Sequence, residues 1–303
     1  MKNVVITGSA TGLGQALSLC FLKRGWRVWG SYHHRPHEAA FEGCCAGQFV
    51  PFYLDAGREA AVAEAALHIG RQLQARGEHV NLLINNAACF SAGPLMEART
   101  EEMLEEYRIN VLAPLLMVRH FRPLFEVQAG SEAHIVHISS FISRVPLPFI
   151  GSYAASKNAL NALHEVLDME LIPYGLRSVN ILLGMVQTGT VERQLKKLQS
   201  FEHSAYRPYL EMRAAKAKRM NRHGYQTEAA AERIAQIACR PGARGTYVVA
   251  RYAFLMRLLA FLRGSSLFRY CMKKWYFTLS SDQQSEMPAP IVSNFSSAHT
   301  ANQ

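Results

Sequence analysis

The stretch "NVVITGSATGLGQALSLCFLKRG", residues 3–25, limits what this chain can fold into more than any other. A short β-branched apolar run enters a turn with glycines at 8, 12 and 14, and residues 15–24 then repeat apolar side chains at helical spacing. Glycines let the backbone turn tightly and approach a ligand closely. The helix start that follows presents unpaired N–H groups and the positive end of its dipole to an anion, and a pyrophosphate fits such a place. Glycine alone marks any tight turn; the strand before it and the helix after it give the pattern weight.

The alternation continues. "RVWGSY", "FVPFYLD" (ending at Asp55), "VNLLINNA", "AHIVHISS", "RSVNILLG" and "GTYVVA" read as further strands. Between them, helices are predicted over 58–77, across "EEMLEEYRINVLAPLLMVRHFRPLF" as one long element, and across "SYAASKNALNALHEVLDMELIPYG". Strands alternating with helices pair in parallel through right-handed crossovers. The expected fold is α/β: a doubly wound parallel sheet in three layers, α/β/α, with a C-terminal helical extension. Residues 1–250 form one domain in this reading, with 189–222 as a mobile lid over the substrate; 251–279 are a basic, apolar extension and 280–303 a disordered tail.

The formal charge is +10, and it is unevenly spread. Residues 1–188 hold 15 Lys/Arg against 16 Asp/Glu, 189–222 hold 9 against 3, and 251–274 hold 6 against none. A balanced first two-thirds argues against a nucleic-acid-binding protein, while the two late segments leave room for an acidic partner. The six cysteines follow no metal or redox spacing. The chain enters its first strand at once and has no apolar stretch of spanning length, so the expected location is the cytoplasm.

"YAASK" places Tyr153 and Lys157 one helical turn apart on a shared face. A free phenol titrates at about 10, too high for easy proton exchange at neutral pH, and a nearby ammonium lowers that value. Ser140 ends the strand "AHIVHISS", at the carboxyl edge where α/β sites assemble; its hydroxyl suits a carbonyl oxygen, and Ser139 points the other way.

"TGSATGLG", "NNAA" at 85–88, Asn110 in "RINVLAP", Ser140 and "YAASK" stand in the order and spacing of the short-chain dehydrogenase/reductase superfamily, and the chain resembles its short single-domain branch over roughly residues 3–190. The resemblance implies a Rossmann-type fold and a nicotinamide cofactor. It implies a turn of Thr7, Gly8, Ser9, Thr11, Gly12, Leu13 and Gly14 around the cofactor phosphates, and Asp55, Asn86, Ala87, Gly184, Val186 and Thr188 around its other parts. Tyr153 becomes the general acid in carbonyl reduction, Ser140 the group that polarises the carbonyl, Lys157 the ribose ligand, and Asn110 the holder of a relay water. Two positions depart from the pattern. Ala88 replaces a usual glycine, and Leu183 a usual proline before Gly184.

Tyr32 falls 18 residues after Gly14, where chains that prefer NAD place an acid on the ribose 2′-hydroxyl. Here "SYHHRP" follows instead. Ser31, Tyr32, His33 and Arg35 are expected to accept a 2′-phosphate, which favours NADP(H). A metal site on His33, His34 and His37 lacks the accompanying ligand pattern. Phe90, Phe141, Val145, Phe149 and Met185 follow strand ends and suit an apolar substrate. The expected activity is reduction of a hydrophobic or lipid-derived carbonyl to an alcohol. A non-catalytic nucleotide-sensing relative is the alternative, disfavoured because Ser140, Tyr153 and Lys157 are all present. Expected partners are a small carbonyl or alcohol substrate, no nucleic acid, a peripheral contact with an anionic membrane through the basic extension or with an acidic carrier at 189–222, and, by family habit, a second or further copies in a homodimer or homotetramer.

Overall fold

A computed structural model of the chain describes residues 1–34, 41, 47–126, 133–189, 191, 195 and 197–277. Its strands are β1 (Asn3–Ile6), β2 (Arg27–Tyr32), β3 (Phe49–Tyr53), β4 (Leu82–Asn85), β5 (Ala133–Ser140), β6 (Leu176–Leu183) and β7 (Gly245–Val249). They form one seven-stranded sheet in the order β3-β2-β1-β4-β5-β6-β7, every pair parallel. The chain runs outward from β1 to β3, then returns to start β4 on the other side of β1. That reversal opens a crevice at the carboxyl ends of β1 and β4.

The strands are apolar on both faces because helices cover both. Val4, Ile6, Ile84, Val136 and Ile181 pack against α1 (Gly12–Leu22) and the later helix Thr227–Ala238. Val5, Trp29, Leu83 and Ile135 point the opposite way, toward α2 (Glu59–Gln74), Met117, Phe121 and Leu167. The alternation of one residue to each side is the two-residue repeat of a strand read directly in the core.

Two predicted elements end differently. β3 stops at Tyr53, since Asp55 closes its own turn: its Oδ1 accepts the Gly57 N–H at 3.2 Å. The long helix expected after β4 is divided into α3 (Thr100–Tyr107), a π turn over Arg108–Leu112, and α4 (Ala113–Phe121). Pro114 explains the break. It has no N–H to give the Asn110 carbonyl, so the regular α-helical bond between them cannot form.

Beyond β5 lie α5 (Gly151–Glu170), α6 (Arg207–Arg222), α7 (Thr227–Ala238), α8 (Ala253–Leu262) and α9 (Ser266–Phe277). The expected lid region contains α6, which joins an apolar cluster with Phe90, Phe149 and Phe201. Residues 280–303, expected to be a disordered tail, lie outside the described residues, as do Arg35 and His37. No described helix is long and apolar enough to cross a membrane.

Candidate active site

The crevice is built first by the glycine turn. Gly8 and Gly12 hold φ of +67° and +55°, which suit glycine. Gly14 allows the closest approach: a Cβ there would sit 2.0 Å from the Gly8 carbonyl oxygen and 2.7 Å from Asn86 Nδ2. Thr7 ties the turn to β4, its hydroxyl accepting the N–H groups of Asn86 at 2.9 Å and Ala87 at 3.0 Å. Asn86 returns the bond, donating Nδ2 to the carbonyls of Thr7 and Gly8. α1 starts at Thr11 with no side-chain cap, so its first N–H groups, at Gly12, Leu13 and Gly14, face the crevice without a side-chain acceptor. Thr188 stands opposite, 3.7 Å from where a Gly12 Cβ would lie. A pyrophosphate fits this cradle.

Ser31 and Ser9 are not part of that open face. Both are buried; the Ser31 hydroxyl accepts the Gly8 N–H at 3.0 Å, and Ser9 Oγ donates to the Ser31 carbonyl at 3.0 Å. Their hydroxyls shape the turn. Tyr32 packs edge-on against Tyr53, which stacks on the exposed His33 ring. No carboxylate occupies position 32. Arg108, which the sequence reading missed, lies between Glu105 at 2.7 Å and Asp55 at 3.9 Å and covers Gly57. Its signal was the Glu-x-x-Arg spacing on one helix face.

At the other end, Ser140 closes β5 and Tyr153 and Lys157 project from the first turns of α5. The Ser140 side chain lies close enough to Tyr153 to influence its phenol, and the Tyr153 ring lies 4.6 Å from that of Phe90. Lys157, 2% exposed, donates Nζ to the Ile138 carbonyl at 2.8 Å and sits 5.9 Å from the centre of the Tyr153 ring. Burial pushes the Tyr153 phenol up to about 12 and the Lys157 ammonium down to about 8. The lysine was expected to lower the tyrosine's affinity for its proton; desolvation raises it instead, and only the neighbouring Ser140 side chain acts in the lowering direction.

Asn110 is fully buried in the π turn. Its amide donates to the Cys89 carbonyl at 2.8 Å and to Ser156 Oγ at 3.0 Å, and its oxygen accepts the Cys89 N–H at 2.9 Å. Both amide hydrogens are thus spent on clamping the segment after β4, so this side chain is placed for support and does not donate to a relay water.

Glu106 was also missed, since a glutamate on a helix normally reads as surface. It is 0% exposed, and its carboxylate accepts the Ser91 N–H and hydroxyl, each at 2.8 Å. Its negative charge favours the protonated forms of both Tyr153 and Lys157. Behind the site, Ser139 donates to Asn161 at 2.7 Å, Asn161 to Ser143 at 2.7 Å, and Ser143 to the Ser140 carbonyl at 2.6 Å, a chain that fixes the Ser140 backbone. His137 lies deeper still; burial lowers its pKa to about 3 and keeps it neutral.

The two departures from the family pattern are mild. Ala88 is exposed, clear of the turn. Leu183 packs on the core and continues β6, after which the Gly184 N–H bonds Val249 at 2.9 Å. Val186 is buried and pairs with Tyr225. A cavity of about 440 Å³ opens beside it, lined by Gln187, Thr188, Gly189, Asn221 and Arg222. Of the expected apolar lining, Phe141, Val145 and Phe149 are buried and Phe90 and Met185 partly exposed; Phe149 holds a φ of +66°, a strained value for its type.

A glycine-cradled anion site facing a serine, tyrosine and lysine across one sheet edge defines a nucleotide-dependent oxidoreductase architecture. Residues 2–199 match the short chain dehydrogenase family, and the chain belongs to that family of NAD(P)-dependent oxidoreductases. It is 27% identical over 268 residues to an NADPH-dependent 3-dehydrocapnine reductase of Ornithobacterium rhinotracheale, covering 86% of this chain and 93% of that protein. It is 28% identical to an NADPH-dependent 1-acyldihydroxyacetone phosphate reductase of Schizosaccharomyces pombe, over 69% of each chain. Among solved structures, a putative short-chain dehydrogenase/reductase from Burkholderia xenovorans superposes with a TM-score of 0.64 at 25% identity, over 82% of this chain and 95% of that one. A short-chain dehydrogenase from Streptomyces avermitilis reaches a TM-score of 0.68 at 19% identity, over 90% of this chain and 95% of that one, a likeness of fold.

Proposed function

We propose that the protein is an NADPH-dependent carbonyl reductase acting on a hydrophobic, lipid-derived ketone or aldehyde. The observation that carries this reading is the meeting of Ser140, at the end of β5, with Tyr153 and buried Lys157 one turn apart on α5, at the sheet edge that also holds the glycine cradle. A reduced nicotinamide supplies the hydride to the carbonyl carbon.

Tyr153 then gives its phenolic proton to the carbonyl oxygen. A phenol held at about 12 keeps that proton at working pH, yet an alkoxide is a much stronger base and takes it readily. The Ser140 hydroxyl donates to the same oxygen and holds it in line. Lys157, charged below about 8, stabilises the phenolate left behind and is the group for the nicotinamide ribose. The relay water falls to the Asn110 main-chain carbonyl, which lacks its regular helical donor at Pro114.

The preference for NADPH is supported by Tyr32 in place of an acid and by the two relatives named as NADPH-dependent. The apolar lining and the names of those relatives support a lipid-derived substrate. NADPH consumption with a panel of long-chain ketones and aldehydes tests the reading. Tyr153→Phe is expected to lower kcat/KM by about a thousandfold, within the usual span of general-acid loss. Turnover undiminished by that change would overturn the assignment.

A further inference from the structure

We propose that α8 and α9 form a docking surface for an anionic lipid bilayer. α8 is apolar on both its inward and its outward side, with Arg257 its one charged residue. Phe254, Leu255, Leu258, Phe261 and Leu262 recur at helical spacing on one side, and all five are exposed, the two phenylalanines at 84%. The other side of the helix carries Ala253, Met256, Leu259 and Ala260, which are partly buried against the domain. Met256 reaches the Gly184 backbone, and Arg263 donates to the Arg144 carbonyl at 2.9 Å. The helix is therefore anchored through Ala253, Met256, Leu259 and Ala260 and leaves the rest of its hydrocarbon on the outside. α9 continues the surface with Leu267 at 71% and Tyr270 at 63% exposure while packing back on α6, where Lys216 lies over the Trp275 ring.

Charge selects the occupant. Residues 251–274 hold six Lys/Arg and no acid. Among the described residues, Arg257, Arg269, Lys273 and Lys274 have no acidic partner. Arg257, Arg263 and Arg144 also line a cavity of about 310 Å³ beside the apolar stripe. Two copies meeting through this face would place like charges together, whereas an anionic bilayer offers hydrocarbon for the rings and phosphates for the cations. The surface stands at the carboxyl edge of the sheet, with Met256 beside Gly184 and a cavity shared with Phe141. Docking there brings the candidate active site to the membrane, so a lipid carbonyl reaches Tyr153 without crossing water; this consequence, unlike the docking, rests on the reductase reading.

The test is co-sedimentation of the full chain with vesicles of phosphatidylcholine alone and with phosphatidylglycerol added. Binding is expected to be at least about tenfold stronger with the anionic lipid and to fall with salt. Phe254→Ser with Phe261→Ser removes two exposed rings and leaves the fold, checked by circular dichroism; it is expected to abolish sedimentation. Lys273→Glu with Lys274→Glu is expected to weaken it about tenfold or more. Absence of binding to the anionic vesicles, binding indifferent to lipid charge, or binding unchanged in the phenylalanine variant would each overturn the proposal. So would self-association in ultracentrifugation that the phenylalanine variant abolishes while vesicles capture nothing. Turnover of a water-soluble carbonyl is measured alongside, so a failure to bind vesicles leaves the reductase reading standing.

Discussion

The sheet edge buries charge, and α8 exposes hydrocarbon. Lys157 and Glu106 are 2% and 0% exposed, while Phe254 and Phe261 are 84% exposed. Each region inverts the usual arrangement of side chains, but the two inversions are settled differently. The buried groups have partners within the chain: Ile138 for the lysine, Ser91 for the glutamate, Cys89 and Ser156 for Asn110. The exposed rings have none among the described residues. An inversion completed inside the molecule holds its groups at a fixed point; one left open on the outside leaves its hydrocarbon uncovered within the chain.

Lys157→Met should break the buried side of this comparison most deeply. Loss of about a thousandfold in kcat/KM is expected in the NADPH assay, because the phenolate then forms without a nearby cation. The same variant tests pH dependence. Burial lowers the Lys157 pKa to about 8 from 10.5, so between those values the unfolded chain binds more protons than the native one and native stability rises with pH. The rise is of order 2 kcal/mol between pH 8 and 10 and is absent from the variant, as read by urea denaturation at stepped pH.

A pair of phenylalanines sharpens the contrast. Phe121, 0% exposed between α2 and β4, should cost about 3–5 kcal/mol when changed to Ala, measured by denaturant midpoint. Glu106→Ala leaves the Ser91 N–H without its buried acceptor and should cost about 1–3 kcal/mol, with kcat reduced because the segment bearing Phe90 loosens. Phe261→Ala should shift the midpoint least, by no more than about 0.5 kcal/mol. A large loss there would mean that the ring is packed within the chain.

Much of the architecture was legible in the sequence. The glycine turn, the strands and the family motifs lie in one order, and each local preference agrees with the parallel sheet. The meeting of Ser140, Tyr153 and Lys157 at one sheet edge was legible from their type and spacing. The site was illegible where burial reverses a residue's ordinary meaning. Glu106 reads as a surface charge until the fold closes over it, and Ser31 reads as a phosphate ligand until its hydroxyl is found under Gly8. The direction of the Tyr153 shift belongs here too, since spacing shows the lysine's proximity but not the depth of both groups. The π turn escaped because no residue type marks it; only the pairing of Asn110 with Pro114 four positions on gives it away.

That turn also governs which changes of length the chain tolerates. A π turn takes one residue more than an α turn, and one residue is about 100° of helical rotation. Met117, Val118 and Phe121 face the sheet only because α4 starts in the phase set at Arg108–Leu112. Because the π turn takes up that extra residue within about one turn, removing one residue there would leave the apolar side of α4 toward the sheet, whereas adding one would swing it by about 100° toward water. A scan of single deletions and insertions should therefore find insertion between Arg108 and Leu112 the more damaging of the two, although Leu112 itself is exposed and readily substituted.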